Sequence, residues 1–201
     1  ACRMIAHDRD VAIVIENHLK LVEPHGLDGL HLPDGPRNLR EARKALGPDA
    51  IIGAFCGSSR HDGITAGEAG ADYVAFGPVG PSALGTEAPA PRDLFEWWSE
   101  VIEVPVVAEG ALTEALVRDL APVTDFFGIG EEIWRENDPA KALRALVAAM
   151  ASAFFTPVAL LSRKTIPTDQ RNTFLSHLRP IELLLRRIFT VGVNGGGGLT
   201  S

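Results

Sequence analysis

Residues 72–80 read DYVAFGPVG, an apolar run that passes directly into a Gly-Pro pair. The first five residues have the length and the aromatic and β-branched content of a strand buried on both faces. The Gly-Pro pair ends such a strand, because proline has no N–H to donate to a neighbouring strand. The stretch therefore predicts a buried strand whose carboxyl end opens abruptly into a loop.

The same pattern recurs along residues 11–150. Five other short apolar runs lack apolar–polar alternation, at residues 11–15, 28–32, 50–54, 104–108 and 125–129. Helical patterns lie between several of them, at residues 38–46, 94–102, 113–120 and 138–150, with Thr113 and Asp138 as expected N-caps. Strands that alternate with helices predict parallel pairing through right-handed crossovers. The fold is then an open doubly wound sheet or a (βα)8 barrel, of which six βα units are visible.

Composition and charge disfavour several classes of protein. The 201 residues suit one domain, and the net charge of −7 divides into −11 for residues 1–150 and +4 for residues 151–201. An acidic body argues against general nucleic-acid binding. No run approaches the roughly 18 apolar residues of a membrane span, and the first ten residues do not resemble a signal peptide. Cys2 and Cys56 show no CxxC spacing, so we expect a cytoplasmic protein without a disulfide framework.

Residues 151–201 differ from the rest in charge and in pattern. We expect two parts, an α/β body over residues 1–150 and an atypical basic segment over residues 151–201. The basic segment is predicted to be partly helical, with Pro180 interrupting the helical pattern, and its Gly-rich end at residues 192–201 to be disordered. The stretch 180–189 could bind a partner or a membrane surface, but packing on its own domain is the simpler interpretation.

The loops after the predicted strands hold the candidate functional residues, since parallel α/β proteins bind ligands there. His31 and Asp34 follow the second run, where Asp34 is either a metal or phosphate-linked ligand or part of a PDGP turn. Cys56, His61 and Asp62 follow the third run, a combination that nucleophilic catalysis can use. For Cys56 we favour the role of a small buried hydrophobic residue, whereas for His61 both interpretations stay open.

Glycines follow the last two runs, at Gly110, Gly128 and Gly130. Glycine lets backbone N–H groups approach a ligand closely, and a helix that begins next favours an anion, so these positions predict a phosphate site. The alternative is that Glu131 and Glu132 stabilise the helix start themselves.

Five segments together resemble the thiamine phosphate synthase and TenI superfamily. They read GLDGLHLPDG (26–35), LGPDAIIGAFC (46–56), AGEAGADYVAFGPV (66–79), PVVAEGAL (105–112) and ENDPAKALRAL (136–146). The resemblance covers about residues 10–150 and implies a TIM-type (βα)8 barrel. It also implies the joining of a hydroxymethylpyrimidine diphosphate to a thiazole phosphate in thiamine biosynthesis. In such synthases Mg²⁺ holds the diphosphate, a pyrimidine cation forms, and the thiazole nitrogen attacks it.

Several positions depart from the family pattern around the metal. Glu16 and Asn17 stand where the family has Asn-Asp, of which the Asp is a metal ligand. Glu16 is therefore a candidate catalytic residue that could also replace a metal ligand, and Asn17 is a candidate substrate ligand. Pro36 stands at a second metal position, so Asp34, two residues earlier, is the candidate Mg²⁺ ligand.

The phosphate-binding positions depart as well. The loop after Gly80 keeps Ser82 and Thr86 as candidate phosphate ligands but has no lysine, which Arg60 or Arg92 could replace. Gly110 is retained, and Gly130 and Glu131 replace an Ile-Ser pair that lies near the thiazole phosphate in the family.

The resemblance further implies that two βα units of the family precede the first apolar run. The expected barrel is therefore incomplete, with about six units and without the first two. Three explanations stay open: a fragment or misread gene with a foreign C-terminal segment, a C-terminal segment that fills the gap, or a partner chain, such as a homo-oligomer, that covers the edge.

The functional hypotheses are accordingly three. The first is a synthase that acts on small phosphorylated heterocycles. The second is a divergent TenI-like or phosphate-binding paralogue, with His61 or Glu109 as the acid or base in place of a metal. The third is a binding protein or an inactive fragment.

Overall fold

The computed structural model describes residues 2–81 and 88–155, and these residues form six strands that alternate with helices. The strands are β1 (Val14–Glu16), β2 (Gly29–Leu32), β3 (Ile51–Phe55), β4 (Tyr73–Phe76), β5 (Val106–Glu109) and β6 (Phe126–Gly128). The helices are α1 (Cys2–His7), α2 (Leu19–His25), α3 (Leu39–Leu46), α4 (Arg60–Glu68), α5 (Arg92–Val101), α6 (Glu114–Leu120), α7 (Glu131–Trp134) and α8 (Pro139–Phe155), with a 3-10 turn at Ala121–Val123.

All six strands are parallel and lie in chain order within one sheet, β1-β2-β3-β4-β5-β6. A doubly wound sheet reverses its strand order near the middle, whereas a sheet that only adds strands on one side curls towards a barrel. The order therefore supports the barrel-type alternative, and the sheet is a curled half-barrel of the TIM type. Among the described residues β1 and β6 form its two edges; the two missing units stay a prediction.

The predicted strands agree with the observed ones to within a few residues, and the expected N-caps are confirmed. The Thr113 hydroxyl accepts the N–H of Leu116 at 3.2 Å, and the Asp138 carboxylate accepts the N–H of Lys141 at 2.9 Å. The sequence did not predict α1, α2 or α4, and α2 carries Pro24 within the helix.

Parallel register assigns the two faces of the sheet, because paired residues of neighbouring strands point the same way. The outer face packs against the helices and carries the apolar core, including Leu30, Ile52, Val74, Val106 and Ala108. The inner face, turned away from the helices, carries Glu16, His31, Tyr73 and Glu109. Glu16 and Glu109 thus end β1 and β5 on the inner face, with His31 near the end of β2 and Tyr73 at the start of β4.

Aromatic packing anchors α4 and α5 on the outer face. Phe76 makes edge contacts with Phe95 and Trp98, at ring-centre distances of 5.9 and 5.1 Å. The Trp98 indole N–H donates to the carbonyl of Val104 at 2.7 Å. A Cβ at Gly63 would lie 2.7 Å from both Phe76 and Trp98, so α4 reaches this cluster only because residue 63 is glycine.

An aspartate precedes each even-numbered strand and binds the strand before it. The carboxylates of Asp28, Asp72 and Asp125 accept the N–H groups of Ile13, Ile52 and Val106, at 2.7, 2.7 and 2.8 Å. The N–H of each aspartate donates in return to the carbonyl of the same residue, at 2.8 to 3.1 Å. This reciprocal pair, here called the aspartate clamp, ties β1 to β2, β3 to β4 and β5 to β6.

No helix within the described part of the chain is long and apolar enough to cross a membrane. The predictions for residues 156–201, including the helical stretch at 180–189 and the Gly-rich end, lie outside the described residues.

Candidate functional site

Four polar side chains lie on the inner face: Glu16 and Glu109 at the carboxyl ends of β1 and β5, His31 near the end of β2, and Tyr73 at the start of β4. Register pairs Glu16 with His31 across β1 and β2, and Glu109 with Gly128 across β5 and β6. Tyr73 lies between them on β4. The sequence named Glu16 and Glu109 as candidate catalytic residues, and the fold places both on the face where a barrel binds its ligand.

His31 and Tyr73 form a hydrogen-bonded pair. Nδ1 of His31 lies 2.9 Å from the Tyr73 hydroxyl, and the two rings stack with their centres 5.7 Å apart. Gly53, the residue between them on β3, makes room, because a Cβ there would lie 2.0 Å from the tyrosine ring. Burial lowers the pKa of His31 from 6.5 to about 4, so the imidazole is neutral at physiological pH. The pair offers neutral hydrogen-bonding groups on the inner face.

The side chain of Glu109 lies in a slot between two glycines. A Cβ on Gly128 would lie 2.8 Å from Cβ of Glu109, and a Cβ on Gly77 would lie 3.2 Å from its Cγ. Burial is the main cause that raises the pKa of Glu109 from 4.5 to about 7, and the carboxylates of Glu16 and Glu132 raise it further. Glu109 can therefore hold or release a proton near neutral pH, which is what a general acid or base needs.

The GPVG segment after β4 is joined to the end of β5. The N–H of Val79 donates to the carbonyls of Glu109 and Gly110 at 3.0 and 3.1 Å, and the N–H of Gly80 donates to that of Gly110 at 3.2 Å. Gly110 has a φ of 86° and packs against Pro78, because a Cβ on Gly110 would lie 2.9 Å from Cα of Pro78. This position therefore needs glycine for the connection itself, whether or not it also binds phosphate.

The start of α7 holds the last of the predicted phosphate-binding glycines. The N–H of Gly130 donates to the Glu132 carboxylate at 3.0 Å, and Glu131 forms an ion pair with Arg135. Glu132 therefore takes the helix-start role that the sequence offered as the alternative to a bound phosphate. A phosphate at Gly130 would have to displace that carboxylate.

The remaining candidates lie nearer the surface. Asn17 adopts a left-handed φ of 58°, and its N–H donates to the carbonyl of His31 at 3.0 Å. Asp34 and His61 are exposed, His61 in the first turn of α4. Ser82 and Thr86 lie outside the described residues.

The two arginines proposed to replace the missing lysine are both occupied. The Arg60 guanidinium lies 4.2 Å from the ring centre of Trp97, and Arg92 forms ion pairs with Glu96 and Asp119. Either would have to leave these partners to bind a phosphate.

Cys56 behaves as a buried apolar residue. Its side chain is 4% exposed, and burial, with a smaller contribution from the Asp62 carboxylate, raises the pKa of the thiol to about 12. A thiol that stays protonated is a poor nucleophile. The interpretation of Cys56 as a small hydrophobic residue therefore accounts for its environment.

The described side chains can be compared with the ligands that the expected Mg²⁺ would need. Within residues 2–81 and 88–155, no three His, Cys, Asp or Glu side chains form a group that could hold a metal ion. Mg²⁺ is commonly bound by one or two carboxylates together with substrate phosphates and water, and the exposed carboxylate of Asp34 fits that role. An all-protein metal site does not fit the described residues.

Sequence reasoning missed Tyr73 as a site residue and treated Glu132 only as part of a helix start. A signal for Tyr73 exists: a polar residue in a strand buried on both faces must find a hydrogen-bond partner. Its partner, His31, lies 42 residues earlier, and only the register brings the two together.

Comparisons with known proteins agree with the fold and with the resemblance. A family model described as thiamine monophosphate synthase matches residues 1–124. The thiamine-phosphate synthase of Erythrobacter litoralis is 38% identical over 148 residues, which are 72% of this chain and 69% of that protein. The thiamine-phosphate synthase of Rhodospirillum centenum is 39% identical over 142 residues, which are 69% of this chain and 67% of that protein.

Among solved structures, the thiamine phosphate pyrophosphorylase from Pyrococcus furiosus superimposes with a TM-score of 0.66 at 21% identity. The match covers 75% of this chain and 73% of that one. At this identity the likeness concerns the fold, and it supports the TIM-type assignment of the curled six-stranded sheet.

Proposed function

Because the chain belongs to the thiamine monophosphate synthase family, we propose that it joins a hydroxymethylpyrimidine diphosphate to a thiazole phosphate. The observation that carries this proposal is the 38–39% identity, over about two thirds or more of both chains, to two proteins named thiamine-phosphate synthase. The polar inner face at the carboxyl ends of the strands supports it, since TIM-type folds place their chemistry there.

The proposed reaction breaks one bond and forms another. The C–O bond between the pyrimidine methylene carbon and the diphosphate breaks, and diphosphate leaves with the electron pair. The thiazole nitrogen then attacks the methylene carbon with its lone pair and forms the new C–N bond. No oxidation occurs, so no redox cofactor is needed. Stabilising positive charge on the pyrimidine is the task of the protein in this scheme.

The named residues take the following proposed roles. Asp34 supplies a carboxylate oxygen to Mg²⁺, which when bound would neutralise diphosphate charge. Asn17, just after β1, binds substrate. Glu16 and Glu109, on the inner face, are the proposed catalytic residues. Ser82, Thr86, Gly110, Gly128 and Gly130 remain proposed phosphate ligands, of which Gly130 competes with Glu132.

The direct test is synthesis of thiamine phosphate from the two phosphorylated heterocycles with the full 201-residue chain. We expect product that depends on added Mg²⁺, is abolished by EDTA, and falls at least about tenfold in Asp34→Ala. Asp49→Ala, which removes another exposed aspartate, serves as the matched control. A folded protein that forms no product over a range of Mg²⁺ concentrations would exclude the synthase.

A divergent TenI-like or phosphate-binding paralogue is the second candidate. The absence of a metal-holding group among the described residues and the occupied arginines Arg60 and Arg92 favour it. Such a protein would use His61 or Glu109 as an acid or base. Turnover of a thiazole phosphate that survives EDTA and is lost in His61→Ala or Glu109→Gln supports this candidate, and turnover unchanged in both variants excludes it.

An inactive fragment and a homo-oligomer that covers the sheet edge are the remaining proposals. Thermal unfolding combined with analytical ultracentrifugation separates them. A cooperative transition at the monomer mass contradicts both, whereas a transition whose midpoint rises with protein concentration supports the oligomer. For a functional synthase we propose the cytoplasm as the location.

A further inference from the structure

A groove lies between α6, α7 and α8, on the helix side of the sheet. Its volume is about 420 Å³, and its apolar floor is formed by Leu112, Ile133, Ala142, Ala145 and Leu146. Leu112, Ile133 and Leu146 belong to the hydrophobic core, so the groove reaches the core from the outside. A groove of this volume has room for several apolar side chains.

The rim of the groove is acidic. Four carboxylates line it, and they belong to Glu114, Glu132, Glu136 and Asp138. Lys141 is the only basic side chain among the described residues of the lining. Three of the carboxylates accept a hydrogen bond from a neighbouring group, whereas within residues 2–81 and 88–155 the side chain of Glu136 makes neither a hydrogen bond nor an ion pair. The groove therefore presents negative charge that the described residues do not balance.

The stretch 179–189, RPIELLLRRIF, has the chemistry that complements this groove. It carries Arg179, Arg186 and Arg187 against one acidic residue, Glu182, and apart from Pro180 its remaining residues are leucine, isoleucine or phenylalanine. Arginine binds a carboxylate through two parallel hydrogen bonds, so it suits the rim. Large apolar side chains gain free energy when an apolar floor removes them from water.

The stretch 179–189 is also tethered within reach of the groove. Helix α8 lines the groove near its start, at Ala142 and Ala145, and ends at Phe155, about 20 Å further along its axis. Residues 156–178 connect Phe155 to the stretch and lie outside the described residues, and a chain of 23 residues can span up to roughly 75 Å. Because the tether makes binding intramolecular, it raises the effective concentration of the stretch at the groove.

The charge of the groove disfavours other occupants. The body of a second copy has a net charge of −11 over residues 1–150, so the rim would repel it. A phosphate or another anion would meet the same carboxylates. A metal ion would need a group of ligating side chains, and residues 2–81 and 88–155 form no such group.

We propose that residues 179–189 dock in the groove between α6, α7 and α8 of their own chain, with the arginines on the acidic rim and the leucines on the apolar floor. This inference goes beyond the proposed function and does not depend on it, because the groove lies on the helix side of the sheet and its occupation needs no substrate. The basic C-terminal segment then covers an acidic surface of the α/β body.

The first test is hydrogen–deuterium exchange of the full chain, followed by mass spectrometry of the peptides that contain residues 179–189. We expect these peptides to be protected in the unmodified chain and to exchange about tenfold faster in Glu136→Arg, which places a like charge against the arginines. The matched control is Glu100→Arg, which reverses an exposed glutamate of α5 outside the groove and should leave the protection unchanged. Adding Arg186→Glu and Arg187→Glu to Glu136→Arg should restore much of the protection, because the charges are exchanged.

The second test traps the docked state by a disulfide. In a Cys2→Ser background, Ala145→Cys in the groove combined with Leu184→Cys should form a disulfide within one chain, whereas Ala45→Cys, at an exposed position of α3, should not form one with Leu184→Cys. Cys56 does not compete, since it is buried.

Three outcomes would overturn the proposal. The first is exchange of residues 179–189 at the rate of an unprotected peptide in the unmodified chain. The second is equal exchange in Glu136→Arg and Glu100→Arg. The third is an Ala145→Cys and Leu184→Cys protein whose disulfide joins two chains, which would assign the groove to the C-terminal segment of a second copy.

Discussion

The Tyr73 hydroxyl lies 2.9 Å from Nδ1 of His31, and the planes of the two rings differ by 17°. This stacking is possible because Gly53 stands between them on β3 and contributes no side chain. A tyrosine and a histidine 42 residues apart are thus held face to face on the inner face of the sheet. The arrangement therefore requires glycine at position 53, in the interior of β3.

The first prediction concerns that glycine. Gly53→Ala places a Cβ 2.0 Å from the Tyr73 ring, so the ring must move and the hydrogen bond to His31 is lost. We expect the free energy of unfolding to fall by about 2–4 kcal/mol, as for overpacking in a rigid core. Urea denaturation measures it. Gly67→Ala in α4 is the control, because its Cβ would meet only Val104 at 3.4 Å and alanine favours a helix. Equal stability of Gly53→Ala and the unmodified chain would contradict the packing described.

The second prediction concerns the pH dependence that Glu109 confers. Its pKa in the folded chain is about 7, against 4.5 as its ordinary value. Between these values the folded state binds more protons than the unfolded state, so stability falls as pH rises from about 4.5 to about 7 and then levels off. The loss amounts to at most about 3 kcal/mol. Glu109→Gln should remove this loss and be the more stable protein at pH 8, measured by urea denaturation across pH. A variant whose pH profile parallels that of the unmodified chain would show that Glu109 is not protonated near neutrality.

The third prediction has the opposite sign and concerns His31. Its pKa is about 4 in the folded chain and 6.5 as its ordinary value, so the unfolded state binds more protons between these values. Stability therefore rises with pH over this window, by at most about 3 kcal/mol, and is lost as pH falls from 6.5 through 4. His31→Gln should flatten that part of the profile. The contributions of His31 and Glu109 oppose each other between about pH 4.5 and 6.5, so only the single variants reveal them. NMR titration of His31 that gives a pKa above 6 would refute the prediction.

The fourth prediction concerns the aspartate clamp between β3 and β4. Asp72→Ala leaves the N–H of Ile52 without its acceptor and removes the ion pair with Arg43, which itself also donates to the carbonyls of Ala50 and Gly70. We expect a loss of about 1–3 kcal/mol, and a smaller loss for Asp72→Asn, which keeps an acceptor oxygen. Asp49→Ala, at an exposed aspartate one residue before Ala50, should change stability by less than about 0.5 kcal/mol. Equal losses in Asp72→Ala and Asp49→Ala would argue against the clamp.

The six strands were predictable because each is a short apolar run with a clear end. The first was placed at residues 11–15, whereas β1 covers Val14–Glu16. The reason is local: the N–H of Val11 still donates to the carbonyl of Ala6 in the turn after α1. This bond keeps Val11 in the turn, which composition does not reveal.

Helix α4 was not predicted because its buried positions are small residues. Gly63 and Ala66 make its buried contact, and the burial comes from close approach to Phe76 and Trp98 on other elements. An amphipathic pattern of large apolar residues is therefore missing. A buried face made of small residues becomes visible only when the elements that pack against the helix are known.

The candidate site was predictable in part. Glu16 and Glu109 were named from the sequence, and each lies on the inner face at the carboxyl end of its strand, although their roles stay predictions. Glu132 in α7 contributes to the raised pKa of Glu109, and strand register brings Tyr73 to His31 from 42 residues away. Sequence patterns report a residue's own segment, whereas its charge state is set by neighbours from other strands.

The three aspartate clamps divide the sheet in a way that its uniform parallel ladder conceals. Each clamp joins two successive strands through a side chain, whereas within residues 2–81 and 88–155 no aspartate makes such a pair between β2 and β3 or between β4 and β5. The pairs β1–β2, β3–β4 and β5–β6 are therefore each held by a side-chain hydrogen bond in addition to the backbone ladder, so the loss of one aspartate weakens one strand pair and leaves the other two clamps in place.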